Sequence, residues 1–99
     1  MRISQEEQAQ GLLELKAWVR SAGVADWLVT AAERATDTAS LALALGPPSM
    51  ALCRCQVLMG DLRQPLYSRR LFGHMARVLC QRLALAEKGR GGNVPSAAQ

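Results

Sequence analysis

The chain has 99 residues, 49% of them hydrophobic and 20% charged, with two Trp, one Tyr, one Phe and a net charge of +4. Domains usually hold about 50–200 residues, so this is one domain's worth of sequence, with no room for a separate cofactor domain. The composition excludes disorder for the chain as a whole, and three cysteines cannot all pair within one chain, which excludes a disulfide scaffold.

A domain of this size buries roughly 60–65% of the surface its unfolded chain exposes, so a partner or a second copy would add to its stability. The charge is uneven. Residues 1–60 hold five Lys or Arg against six Asp or Glu, whereas residues 61–99 hold seven against two, a local charge of +5. That asymmetry predicts an anionic partner: an acidic protein, nucleic acid or a membrane surface. Glu6 and Glu7 stand where the apolar run of a signal peptide would be. The longest uncharged stretch, Thr38 to Cys53, is interrupted by Gly46-Pro47-Pro48, so no membrane-spanning helix is expected. With reduced thiols, the expected location is cytoplasmic.

Ala and Leu are abundant and no segment alternates apolar with polar residues, so the pattern predicts helices throughout. The first is expected at about 5–21. Ser4 and Glu7 have the spacing of a capping box, Leu12, Leu15, Val19 and Ala22 form an apolar stripe, and Gly23 suits a left-handed cap. The second starts near Val24–Asp26 and ends before Gly46, with Leu28, Ala31, Ala35, Thr38, Ala42 and Leu45 on one stripe. Thr36-Asp37-Thr38 favours a break that would divide it into 26–36 and 38–45. After Pro47-Pro48, with Ser49 as N-cap, a helix at 50–59 is apolar nearly all round and is expected to be buried on most sides, as a central helix or at a dimer interface. Met50, Leu52, Val57, Leu58 and Met59 are its expected core or interface residues.

The last helix runs from after Pro65 to about Lys88. Its apolar face is Leu71, Phe72, Met75, Val78, Leu79, Leu83 and Ala86. At about 100° per residue, Arg70, His74, Arg77, Gln81 and Lys88 form a basic ridge opposite that face, the expected partner-binding residues, while Arg82 projects into the apolar side and needs an acid such as Glu14 or Glu33. Residues 89–99, rich in glycine and small polar residues, read as a flexible tail after a single domain at 1–88.

Chemistry is sparse. His74 is the only histidine, and Cys80, six residues on, lies about 9 Å along the same helix, too far to be its catalytic partner. Cys53, Cys55, His74 and Cys80 are zinc-compatible types, but Cys53 and Cys55 within one helix point about 160° apart, so no metal site is expected. No phosphate-binding glycine motif opens a helix, and neither a cofactor nor a small-molecule substrate is expected.

The window from Thr38 to Cys55 resembles a helix-turn-helix. Gly46 takes the turn position, Leu41, Ala42 and Leu45 precede it, and Leu52 and Cys55 face inward after it. The second helix offers only Ser49, Arg54 and Gln56 to read bases.

The expected fold is all-α, a compact bundle of four helices, or five if the second divides, with a disordered C-terminal tail. The expected function is non-enzymatic: a protein–protein interaction module that self-associates to a dimer. A dimeric DNA-binding regulator is the alternative.

Overall fold

The computed structural model describes residues 3–21 and 23–98, with side chains as far as 88. Among the described residues there are five helices and no strand: α1 (Gln5–Ser21), α2 (Asp26–Arg34), α3 (Thr38–Ala44), α4 (Pro48–Met59) and α5 (Leu66–Ala98). The second predicted helix is therefore divided. Helix α5 continues past the expected end at Lys88. The tail expected at 89–99 and Ala22 of the first stripe lie outside the described side chains.

Local chemistry sets the breaks. The Ser4 hydroxyl accepts from the Glu7 amide at 3.1 Å and starts α1. The Glu7 carboxylate does not complete the box; it lies 2.9 Å from the Arg70 guanidinium on α5. Between α2 and α3, Asp37 accepts from the Ser40 amide at 2.8 Å, while the Ser40 hydroxyl accepts from the Asp37 amide at 3.0 Å. This reciprocal box satisfies orphan amides and favours restarting the helix over continuing it. The amide and hydroxyl of Ser40 hold the Asp37 carboxyl below its ordinary range.

Helix α4 starts at Pro48, with Pro47 rather than Ser49 at the N-cap. Proline fits the first helical position because the amide it lacks would have no intrahelical partner there. Gly46 takes a positive φ of 113° at the turn between α3 and α4, while the cap expected at Gly23 depends on Ala22, which lies outside the described residues. The buried Gln64 side chain closes the last turn of α4 by donating to the Leu58 carbonyl at 2.8 Å, and it accepts from the Ser68 hydroxyl at 3.0 Å.

The central helix is α5, which packs on α4, α1 and α3. Its buried stripe of Leu71, Phe72, Met75, Ala76 and Leu79 belongs to one core cluster with Leu12, Leu15 and Val19 of α1, Leu28, Ala31 and Ala32 of α2, Leu41 of α3 and Ala51, Cys55 and Leu58 of α4. Most of the predicted apolar positions on α1, α2, α3 and α5 are in this cluster. Glu14 of α1 accepts from the Tyr67 amide at 3.2 Å and so caps the start of α5, where a carboxylate favours the helix dipole.

Candidate interaction surfaces

Helix α4 is not a central helix. Ala51, Cys55 and Leu58 are buried and Leu52 is half-buried, but Met50 is 46% exposed, Val57 74% and Met59 44%. Of the five residues expected to be withdrawn from water, only Leu58 is fully so. The reason is geometric: α4 packs mainly against α5 and only slightly against α3, and no other helix covers its outer side.

That outer side presents Ser49, Met50, Cys53, Gln56 and Val57, without a charge. Exposed apolar residues continue through Leu62 (79% exposed) and Leu66 (56%). The charges in the intervening turn, Asp61 and Arg63, pair with each other at 2.8 Å. The only charged residue of α4 is Arg54, which the fold itself uses. Its guanidinium donates to the Leu45 carbonyl at 2.7 Å and lies 4.3 Å from the centroid of the Trp27 ring. Arg54 thus ties α4 to the end of α3 and to α2, through a cation–π contact and a charge-assisted hydrogen bond. Sequence reading missed this role, and also missed Leu62 and Leu66; their only signal was being apolar in and beside a turn, outside any helical stripe.

The structure divides the predicted ridge. Arg70 is held by Glu7 and sits 5.8 Å from the Tyr67 ring centroid, so its charge is engaged within the fold. Arg70, His74 and Arg77 line a hollow of about 270 Å³ with Ile3 and Gly73. His74 is half-buried, its Nδ1 buried without a hydrogen-bond partner, and burial together with nearby Arg77 pushes its pKa down. Gln81 and Lys88 are exposed. Arg82, expected to project into the apolar side, is exposed, because the fully buried stripe of α5 ends at Leu79. Glu14, one of its expected acids, instead caps α5.

The thiols are separated. Cys55 is fully buried, and burial pushes its pKa up to about 12; Cys53 and Cys80 are exposed. Among the described residues, no three His, Cys, Asp or Glu side chains are grouped to hold a metal ion. Alkylation of the native protein is expected to label Cys53 and Cys80 and spare Cys55, read by intact mass; three labels on folded protein would contradict the packing. The Cys55 pKa is raised from 9.0, so its contribution to stability is intact below pH 9 and is lost as pH climbs toward 12. Cys55→Ala is expected to flatten that part of the alkaline decline.

Helices α3 and α4 are bent by 107° at their junction, and no single described helix is long and apolar enough to cross a membrane. The angle falls in the helix-turn-helix range of about 90–120°. Of the residues that carry the resemblance, Leu41, Leu45 and Cys55 are buried and Ala42 and Leu52 are half-buried. Comparison with family models, curated proteins and solved structures found no match. Among the described residues the chain forms an all-α, five-helix fold with an uncharged outer face on α4.

Proposed function

We propose that this protein is a non-enzymatic interaction module that binds another protein chain, in the first place a second copy of itself, through the outer face of α4 and the turn that follows. The observation that carries the reading is the exposure of Met50, Val57, Leu62 and Leu66, with neutral side chains along the outer side of α4 and, in the turn, an Asp61–Arg63 pair that has Arg69 beside it. An uncharged face can meet its own copy across a two-fold axis without bringing like charges together. Arg77, Arg82 and Lys88 on α5, none of them in an ion pair among the described residues, add a basic surface elsewhere on the molecule that would favour an acidic partner. The working mode would be occlusion or bridging of a partner surface, as in an adaptor, an anti-activator or a secretion chaperone, in a reducing, cytoplasmic setting.

Sedimentation of the full chain tests this. Wild-type protein is expected to show concentration-dependent dimerisation in the micromolar range. Val57→Glu with Leu62→Glu is expected to abolish it while leaving the helical circular dichroism unchanged, since both side chains stand in solvent. A compact monomer at every concentration would overturn the self-association.

The 107° corner supports a second reading, a dimeric DNA-binding regulator. Against it, the outer face of α4 carries Met50, Cys53 and Val57 where base-reading Arg, Asn or Gln would stand, and Arg54 is held inside the fold. Any duplex contact would fall to Arg77, Arg82 and Lys88. Anisotropy of labelled duplex DNA at low salt decides: binding that weakens steeply with salt and is lost in Arg77→Ala/Arg82→Ala would favour this reading, and no binding would end it.

A further inference from the structure

Helices α3 and α5 pass each other without filling the space between them. Thr38, Ala39 and Ala42 on α3 face His74, Met75, Val78, Leu79 and Arg82 on α5 across a groove of about 200 Å³. Its floor is apolar, with Met75 and Leu79 almost fully buried and Ala42 and Val78 half-buried. The volume is too small for most whole metabolites, whose sites run about 300–1,000 Å³, but a cavity of about 150 Å³ already accepts a benzene ring. The groove therefore suits one apolar side chain delivered by a larger molecule.

The polar groups around it are one-sided. Arg82 is exposed and has no ion pair among the described residues, whereas Arg77 lines the neighbouring hollow that shares His74 with this groove. The Nδ1 atom of His74 is buried with no hydrogen-bond partner. No carboxylate lines the groove. Asp37, the nearest acid in sequence, is turned onto its own helix by the Ser40 amide and lines a different hollow, on the α1 side. The Thr38 hydroxyl is engaged with the Gln8 side chain at 2.8 Å.

We infer that this groove is a docking site for an acidic peptide segment of a partner protein, which inserts a single leucine or phenylalanine between Ala42 and Val78 while a flanking carboxylate meets Arg82 at the rim. This names a partner chemistry for the interaction-module reading at a surface separate from α4. Nucleic acid fits less well, because a sugar–phosphate backbone offers nothing to the apolar floor.

The test uses the full chain, labelled with ¹⁵N, and a synthetic peptide holding one phenylalanine between pairs of glutamates. Controls carry alanine for the phenylalanine, or lysine for the glutamates. Saturable binding is expected to shift the amides of Ala39, Ala42 and Val78. It is expected to weaken by at least about tenfold in Ala42→Leu, which fills the groove, and in Arg82→Glu, which reverses the flanking charge on an exposed residue that cannot unfold the core. Both control peptides are expected to bind at least about tenfold more weakly. No binding, binding indifferent to Arg82→Glu, or equal shifts with duplex DNA would each overturn the proposal. Val57→Glu/Leu62→Glu is expected to bind the peptide normally, so loss of the α4 contact and loss of this site are separately visible.

Discussion

Gly11→Ala lowers the melting temperature, the reverse of the usual result for glycine inside a helix. On propensity alone the change would stabilise α1 by about 1 kcal/mol. Gly11 is buried where α1 crosses α5, and a Cβ built there would stand 2.6 Å from the Tyr67 carbonyl oxygen, 3.0 Å from the Leu71 Cβ and 3.1 Å from the Tyr67 carbonyl carbon. Two of these neighbours are backbone and cannot rotate away, so the helices must separate. Overpacking of this kind costs about 1–3 kcal/mol and occasionally more, and it outweighs the propensity gain when the obstacle is a main chain. The separation also stretches the Glu14–Tyr67 cap and the Glu7–Arg70 pair, which lie within about one turn of the crossing. Each net kcal/mol lowers the midpoint by about 4–8 °C in a domain of this size. Thermal unfolding followed by circular dichroism checks it: an unchanged or raised midpoint would mean that the helices do not cross this closely. Gly11→Leu extends the series and is expected to prevent native packing of α1.

Phe72→Ala produces the largest loss among single core truncations. Phe72 is the only aromatic in the core cluster and is fully buried on the central helix. Removing a buried phenylalanine ring costs about 3–5 kcal/mol, from lost burial plus the cavity left behind. Domain stabilities run about 5–15 kcal/mol, so this one substitution removes a large share. Urea unfolding is expected to show a much lower midpoint, with Phe72→Leu losing far less because most of the volume is kept. A small change for Phe72→Ala would mean that the core does not converge on α5.

These two residues differ in how readable they are. Phe72 stands on a helical stripe with Leu71, Met75 and Leu79, and periodicity alone marks it as core. Gly11 sits between polar Gln10 and Leu12 and has no signature; its constraint exists only because α5 crosses there. The α4 surface is only partly readable for a related reason. Met50, Val57 and Met59 are apolar, which fits either a core or an interface position, and which side of an all-apolar helix is covered within the subunit depends on what lies against it. The helical angle of Arg82 gives its direction but not where the bundle stops, and the buried stripe of α5 ends at Leu79, short of it.

The sequence by itself determined the helical class, the turn at Gly46-Pro47-Pro48 and the basic C-terminal third, and marked Thr36–Thr38 as a place where the second helix could divide, because capping side chains, proline and glycine act within a few residues of chain. Tertiary structure decided that α5 is the central helix, that Glu7 pairs with Arg70 and Glu14 caps α5, that Arg54 is tied to Trp27 and Leu45, and that α4 and the α3–α5 groove stay open. Those outcomes depend on which faces meet across distant parts of the chain, and hydrophobic burial, being non-directional, leaves that choice to packing shape.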